Sequence, residues 1–218
     1  MAPGGGVMTP VGGGVMAPVP LPDMPFGAGI GASDRRRLVA GVDLAFAHDG
    51  CALVICEHTD DAIEVIDYDF RLPRPGEPFD PLDIADLYMR RLDAVGCRVV
   101  VADVHYVEVV RRVARDHCIA LVNAPVGEER TKSFILARHL TRSRAVRFPR
   151  IVADHLRKIQ LVVRPGGGIG IQAPRTDGAG HADLAFALVA AIAIDARMHG
   201  HIGDAPTRIA THRGSWST

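Results

Sequence analysis

Cysteine, lysine and aromatic residues are all scarce in this chain of 218 residues. The four cysteines form no Cys-x-x-Cys pair, which excludes a disulfide-rich scaffold, and we expect them to be small buried side chains. Aromatic residues make up 5% of the chain, so Val, Ile, Leu and Ala must supply most of the core. The sequence therefore predicts an ordinary globular domain with an aliphatic interior.

Long apolar segments are also missing. The longest uninterrupted apolar run covers residues 184–194, whereas a helix that crosses a bilayer needs about 20 such residues. The N-terminus lacks the basic segment followed by an apolar segment that marks a signal peptide. We expect no membrane association and a cytoplasmic location.

Charge is balanced over the whole chain but divided along it. The 25 basic residues equal the 25 acidic ones, yet residues 43–110 hold 15 acids and 5 bases, while residues 111–164 hold 13 bases and 4 acids. Such a division would let one surface hold cations while another contacts an anionic polymer. Two solvated faces that neutralise each other would explain the same pattern.

The first 31 residues differ in composition from the rest. They contain nine glycines, six prolines and a single charged residue, Asp23, and an eight-residue segment is repeated at 4–11 and 12–19. Such a segment buries too little apolar surface to offset the entropy of ordering it. We expect a flexible tail over 1–34, a folded domain over 35–199 and a disordered tail over 200–218.

The hydrophobic pattern of the folded part predicts a layered α/β domain. Three strands are expected at 37–46, 51–57 and 62–70, and helices and strands alternate after them. The unalternating run at 98–103 is typical of a buried parallel strand. Asp80 and Pro81 are expected to begin a helix, a further helix is expected at 151–163, and a long apolar helix is expected at 182–198.

Three aspartates occupy similar positions in this pattern. Asp43 lies in the first strand, Asp103 ends the run at 98–103, and Asp183 opens the last helix. Each could simply cap a turn or a helix. If the first strand and the strand at 98–103 are parallel neighbours, however, Asp43 and Asp103 emerge together, and the helix could bring Asp183 to the same edge. Carboxylates gathered in this way suit Mg²⁺ or Mn²⁺.

The segments around these aspartates resemble the acidic motifs of a known nuclease family. GVDLA at 41–45, VVVAD at 99–103 and GHADLAFAL at 180–188 are similar to those of the ribonuclease-H-like nuclease domain of the large terminase subunit of tailed bacteriophages. Lys132 at a helix start, RAVRFP at 144–149 and the glycine-rich turn after 165 fit the same family. The resemblance covers about residues 37–196. It implies a mixed five-stranded sheet, three antiparallel strands followed by parallel ones, flanked by helices.

The resemblance also implies a chemistry. A terminase nuclease cuts concatemeric phage DNA during genome packaging with two Mg²⁺ or Mn²⁺ ions held by carboxylates. By position, Asp43 would bridge the two ions, and Asp103 and Asp183 would each complete a coordination shell. His181 would orient Asp183 or contact DNA, and Asp177 is a possible auxiliary acid.

Double-stranded DNA is the expected partner, held mainly through its phosphates, so that affinity should fall steeply with salt. Further partners implied by the family are a separate packaging ATPase, a small terminase subunit or a portal, in a bacterial host cell that carries the phage or prophage. The candidate phosphate contacts are Lys132, Arg138, Arg142, Arg144 and Lys158.

The sequence departs from the family pattern in three ways, and these leave alternatives open. We expect this chain to have no packaging ATPase domain, Ala182 stands where a second acid often lies beside the last metal ligand, and His155 stands where an acidic residue is expected. The first alternative is a nuclease of the same fold that resembles a Holliday-junction resolvase. The second is a degenerate prophage module that binds DNA or a packaging partner without cutting it.

Overall fold

The computed structural model describes residues 36–45, 50–74, 76–103, 107–165, 167–173 and 182–199. The strands of this part are β1 (Arg37–Asp43), β2 (Cys51–His58), β3 (Ile63–Arg71), β4 (Val99–Ala102), β5 (Ala120–Asn123), β6 (Val146–Arg147), β7 (Gln160–Val163) and β8 (Ile169–Gln172). The helices are α1 (Pro81–Val95), α2 (Val107–Asp116), α3 (Gly127–Arg142), α4 (Arg150–Arg157) and α5 (Asp183–His199).

The main sheet is mixed, with the strand order β5-β4-β1-β2-β3-β6. Strands β1, β2 and β3 form an antiparallel meander, and β4 and β5 continue the sheet as parallel strands beside β1. The predicted α/β class and the parallel pairing of the first strand with the run at 98–103 are therefore confirmed. The sheet has six strands rather than the expected five, because the short β6 pairs in parallel with the start of β3.

Helices cover both faces of this sheet. Alternate residues of β1 point to opposite faces: Leu38, Ala40 and Val42 pack with α1 and α2, whereas Val39 packs with α3, α4 and α5. Each face has its own buried aliphatic cluster, which suits a chain with few aromatic residues. No helix among the described residues is both long and apolar enough to cross a membrane.

Helix α1 begins where the sequence predicts. The Asp80 side chain accepts a hydrogen bond from the N–H of Leu82, and Pro81 takes the first helical position, where its missing N–H costs nothing. Gly96 ends the helix in the left-handed conformation, at φ 76°. The inward-facing residues of α1 include Tyr88 and Leu92, which are fully buried.

Two local predictions are wrong. The helix expected at 151–163 ends at Arg157, and the apolar residues after it form β7, which pairs with β8 in a separate two-stranded hairpin. The valines at 162 and 163 favour a strand, because β-branched side chains lose little freedom there. Cys118 is exposed, whereas Cys51, Cys56 and Cys97 are buried as expected.

Helix α5 packs directly on the backbone of β1. A Cβ atom added to Gly41 would lie 1.9 Å from the carbonyl oxygen of Ala187 and 3.1 Å from the amide nitrogen of Ala191. The glycine is required here because helix and strand approach more closely than any side chain allows. At the far end of the helix, the buried Asp195 carboxylate accepts a hydrogen bond from His58 Nδ1 at 2.6 Å. Helix α5 therefore runs antiparallel to β1, and Asp183 lies at the end where β1 finishes.

We predict that Gly41→Ala destabilises the protein by about 1–3 kcal/mol, the usual cost of forcing extra atoms into a packed interior. The new methyl group would meet helix backbone, which cannot move aside as a side chain could. Urea unfolding measures the change. Gly168→Ala is the matched control, because a Cβ there meets nothing within 4 Å. Equal stability of the two variants would contradict the close packing of α5 on β1.

Candidate carboxylate site

Asp43 and Asp103 lie side by side at the carboxyl ends of two parallel strands. The pairing of Val42 with Ala102 brings the next residue of each chain segment together, and neighbouring strands are about 4.8 Å apart. Both aspartates are half-buried, and both line one small cleft between the sheet, α3 and α5. The sequence-based expectation that these two positions emerge together agrees with this geometry.

Asp183 is the first residue of α5 and is buried, with 2% of its surface exposed. Its Oδ2 atom lies 2.8 Å from the position that a Cβ of Gly50 would occupy, so the start of α5 lies close to the residue that precedes β2. Gly50 precedes Cys51, and β2 pairs with β1 so that Ala52 faces Asp43. Asp183 is therefore placed at the same end of the sheet as Asp43.

The charges of two of the carboxylates, Asp43 and Asp183, both affect the pKa of the Cys51 thiol. Burial raises the pKa of the Cys51 thiol to about 12, a backbone hydrogen bond at Ala45 opposes this increase, and the negative charges of Asp43 and Asp183 add to it. Both carboxylates are thus close enough to act on one buried sulfur atom. Among the described residues, no three acidic, histidine or cysteine side chains are close enough to form a metal site.

Two predicted site residues cannot be placed. Asp177 and His181 lie in the segment 174–181, outside the described residues. That segment directly precedes Ala182 and Asp183.

His155 on α4 lies beside the start of α5. The N–H of Leu184 donates a 3.4 Å hydrogen bond to His155 Nδ1, and the ring of Phe70 packs edge-on against the imidazole at 4.8 Å. Burial lowers the pKa of His155 to about 4, Lys158 lowers it further, and Asp154 opposes the shift. At neutral pH the imidazole is therefore uncharged, as its role as an acceptor at Nδ1 requires. His155 supplies a hydrogen bond to the helix start rather than a negative charge.

Ala182 has a backbone conformation that is unusual for alanine. It is fully buried with φ 69°, in the left-handed region, and its carbonyl accepts the first hydrogen bonds of α5 from Ala185 and Phe186. Residues with a Cβ pay a strain cost there, which Asn and Asp tolerate best.

The structure does not bring the five predicted phosphate contacts together. Lys132, near the start of α3, is exposed and paired with Glu128 and Glu129. Arg142 and Arg144 are exposed at the other end of α3, beside the start of β6 and away from Asp43. Lys158 ends α4, close enough to lower the pKa of His155.

Arg138 is the fifth of these residues, and it is buried. Only 8% of its surface is exposed, and its Nε and Nη2 atoms have no hydrogen-bond partner within the described part of the chain. Burial and the nearby Arg142 lower the pKa of the guanidinium.

Arg130 is a residue that sequence reasoning missed. It lies in the first turns of α3 and lines the cleft together with Asp43 and Asp103, as do Ser133 and Phe134. The sequence signal that could have identified it is the spacing of positions 130, 133 and 134, which share one face of a helix. The sequence does not reveal that this face, rather than that of Lys132, turns towards the carboxylates.

The fold has solved counterparts. The chain is similar to the large terminase of bacteriophage HK97, with 17% identity and a TM-score of 0.60 over 74% of this chain and 40% of that one. It is also similar to the large terminase nuclease of the thermophilic phage G20c, with 17% identity and a TM-score of 0.55 over 72% of this chain and 81% of that one. The same G20c nuclease with bound magnesium matches with 19% identity and a TM-score of 0.53, over 72% of this chain and 80% of that one.

These likenesses confirm the fold that the motifs predict, that of a phage terminase nuclease domain. The chain spans about 40% of the length of the HK97 large terminase. No family model and no curated protein matches the chain in sequence.

We predict that His155 makes stability depend on pH. Its folded-state pKa lies below the ordinary value of about 6.5, so the unfolded chain takes up a proton that the folded chain does not. The free energy of unfolding should therefore fall as pH drops from about 6.5 to 4, by up to about 1.4 kcal/mol per pH unit. His155→Asn, which keeps an acceptor near the Leu184 N–H but does not titrate, should lose this part of the slope. Urea unfolding between these pH values measures it, and identical slopes for both proteins would contradict the assignment.

Proposed function

We propose that this protein is a metal-dependent endonuclease that hydrolyses phosphodiester bonds of double-stranded DNA. The observation that carries the proposal is the register of β1 and β4, which sets Asp43 and Asp103 side by side at the end of the sheet where Asp183 begins α5. Neighbouring carboxylates repel one another, and a bound cation would offset that repulsion.

The donor set suits divalent cations such as Mg²⁺ or Mn²⁺. Carboxylate oxygens are the ligands that these hard cations prefer, and Asp43, Asp103 and Asp183 would hold them once their side chains draw closer around the ions than they lie in the structure. Burial is the main cause of the raised pKa of Cys51, and the negative charges of Asp43 and Asp183 raise it further. Divalent cations held there would supply the Lewis-acid chemistry that phosphodiester hydrolysis needs.

The chain contributes position and charge. Strands β1 and β4 fix the first two carboxylates through backbone pairing, and α5 fixes the third through its packing on Gly41. The N-terminus of α5 also favours a negative side chain at Asp183, because the helix dipole is positive there. A site built on packed elements keeps its ligands in place without the ordering cost of a mobile loop.

Duplex DNA is the substrate that the charge distribution supports. The basic residues of α3 and α4 follow the acidic half of the sequence. Contacts between basic side chains and phosphates depend little on the base sequence of the DNA. We further propose that the chain works with a packaging ATPase, and with a small terminase subunit or portal, as the family resemblance implies. Preference for linear over branched duplex would distinguish this role from that of a junction resolvase.

A second candidate is a module that binds DNA or a packaging partner without cleavage. It is favoured by the neutral His155 and the apolar Ala182, which occupy positions where additional acids would strengthen cation binding. Fewer negative ligands would weaken the hold on divalent cations.

We predict that the native protein nicks supercoiled plasmid in the presence of Mn²⁺. Asp43→Asn, Asp103→Asn and Asp183→Asn should each lower the nicking rate by at least about a hundredfold, as expected when a group that stabilises transition-state charge is removed. Asp61→Asn is the matched control, because Asp61 is exposed in the turn between β2 and β3 at the opposite end of the sheet. Equal nicking by all variants would mean that the activity does not arise at this site.

Metal binding can be tested apart from cleavage. A ligand that binds only the folded protein raises its unfolding temperature, so Mn²⁺ should raise the Tm of the native protein and of Asp61→Asn but not that of Asp43→Asn. A thermal-shift titration measures this. If the native Tm does not respond to Mn²⁺ while the protein still binds duplex DNA, the binding module replaces the nuclease as the function.

A further inference from the structure

We propose that Arg130 binds a DNA phosphate at the carboxylate cleft and holds the strand against Asp43 and Asp103. This inference rests on the proposed nuclease function and adds a substrate-binding residue to it. The juxtaposition that carries it is a guanidinium and two carboxylates on the walls of a single cleft.

The cleft is assembled from four elements. Asp43 and Asp103 come from the ends of β1 and β4, Arg130 comes from the first turns of α3, and Phe186 comes from α5. Chain direction explains the arrangement: β5 ends at the same edge of the sheet as β4, so α3 starts there and runs back towards the opposite end. Arg130, near the start of α3, therefore lies at the end of the sheet that carries Asp43 and Asp103. Arg142, at the end of α3, lies at the opposite end of the sheet.

The Arg130 guanidinium is held by an aromatic ring. Its central carbon lies 5.9 Å from the centroid of Phe186, within the range of a cation–π contact. Phe186 is itself fixed by an edge-to-face contact with the buried Phe134, with ring centroids 5.2 Å apart. A guanidinium that lies over a ring face leaves N–H groups for oxygen acceptors, and its planar fork can bind a phosphate in a bidentate manner. The ring also limits the rotamer freedom that an exposed arginine would otherwise lose on binding DNA.

Arg130 differs in its partners from its basic neighbour on the same helix. Lys132 Nζ lies 3.2 Å from Glu128 and 2.9 Å from Glu129, so its charge is already balanced within the helix. Arg130 instead contacts the Phe186 ring. Within the described part of α3, Arg130 is the residue whose positive charge lines the cleft.

Electrostatics explains why the cleft needs this charge. A phosphate that approaches Asp43 and Asp103 is repelled by both carboxylates, and divalent cations would offset that repulsion only where they are coordinated. A fixed guanidinium at the rim supplies favourable charge to the adjoining phosphate oxygens and fixes the register of the strand. Lysine lacks the planar fork that binds two oxygens while stacked on a ring.

The experiment compares four variants with the native chain. Arg130→Ala removes the guanidinium, Arg130→Lys keeps only the charge, and Phe186→Leu removes the ring but keeps an apolar side chain. Arg90→Ala is the matched control, because Arg90 is an exposed, ion-paired arginine on α1, which packs on the opposite face of the sheet. Each protein is tested for Mn²⁺-dependent plasmid nicking and, with Ca²⁺ instead, for binding to a short fluorescein-labelled duplex over a range of salt concentrations.

We expect Arg130→Ala to lower the kcat of nicking by at least about tenfold and to reduce the salt dependence of duplex binding by about one phosphate contact. Arg130→Lys should recover the salt dependence but not the full kcat, and Phe186→Leu should lie between the native protein and Arg130→Ala. Arg90→Ala should match the native protein in both measurements. A fold defect would instead lower the Tm, which is measured for every variant.

The outcomes separate this inference from the function beneath it. If the native chain nicks DNA and Arg130→Ala does so with unchanged kcat and salt dependence, the role of Arg130 is overturned while the nuclease stands. If the native chain binds duplex without nicking it, and Arg130→Ala binds with the lower salt dependence, the nuclease is overturned while the phosphate contact stands. A native chain that neither nicks nor binds duplex overturns both.

Discussion

The close approach of α5 to β1 at Gly41 is the constraint on which the arrangement of the site depends. Because no side chain separates the strand from the Ala187 carbonyl, the helix is fixed along and across the sheet. Asp183 lies one turn before Ala187, so this contact determines its distance from the end of β1. The buried hydrogen bond between Asp195 and His58 fixes the other end of the same helix. A helix held at both points brings Asp183 to the end of the sheet at which β1 and β4 present Asp43 and Asp103.

The fold could be predicted from the sequence wherever the hydrophobic pattern determines which strands pair. The unalternating run before Asp103 indicates a strand buried on both faces, and such strands pair in parallel, which places Asp103 beside Asp43. The end of α4 and the following hairpin could not be predicted, because the apolar residues 160–163 suit either a helix or a strand and only the pairing with β8 decides. The exposure of Cys118 likewise depends on the position of the turn after α2, which composition does not reveal.

The sequence predicts that the segment is rich in basic residues, but it does not predict which of their side chains lie on the same surface. Composition identifies an Arg-rich segment over 111–164, yet it cannot show which arginines face the carboxylates. Arg130 and Arg142 are 12 positions apart on one helix, or about 18 Å along its axis, so they cannot contact the same phosphate. Arg138 between them is buried instead. The direction of α3, which follows from where β5 ends, is what assigns each of these side chains to a different part of the molecule.

The central claim is that Asp43, Asp103 and Asp183 hold divalent cations together. The most direct measurement is anomalous X-ray diffraction at the manganese absorption edge from crystals of the native chain soaked in Mn²⁺. The account predicts a strong anomalous peak at the ends of β1 and β4, in contact with carboxylate oxygens of all three aspartates. Manganese bound only elsewhere, or a site that leaves any one of the three uncoordinated, would contradict it.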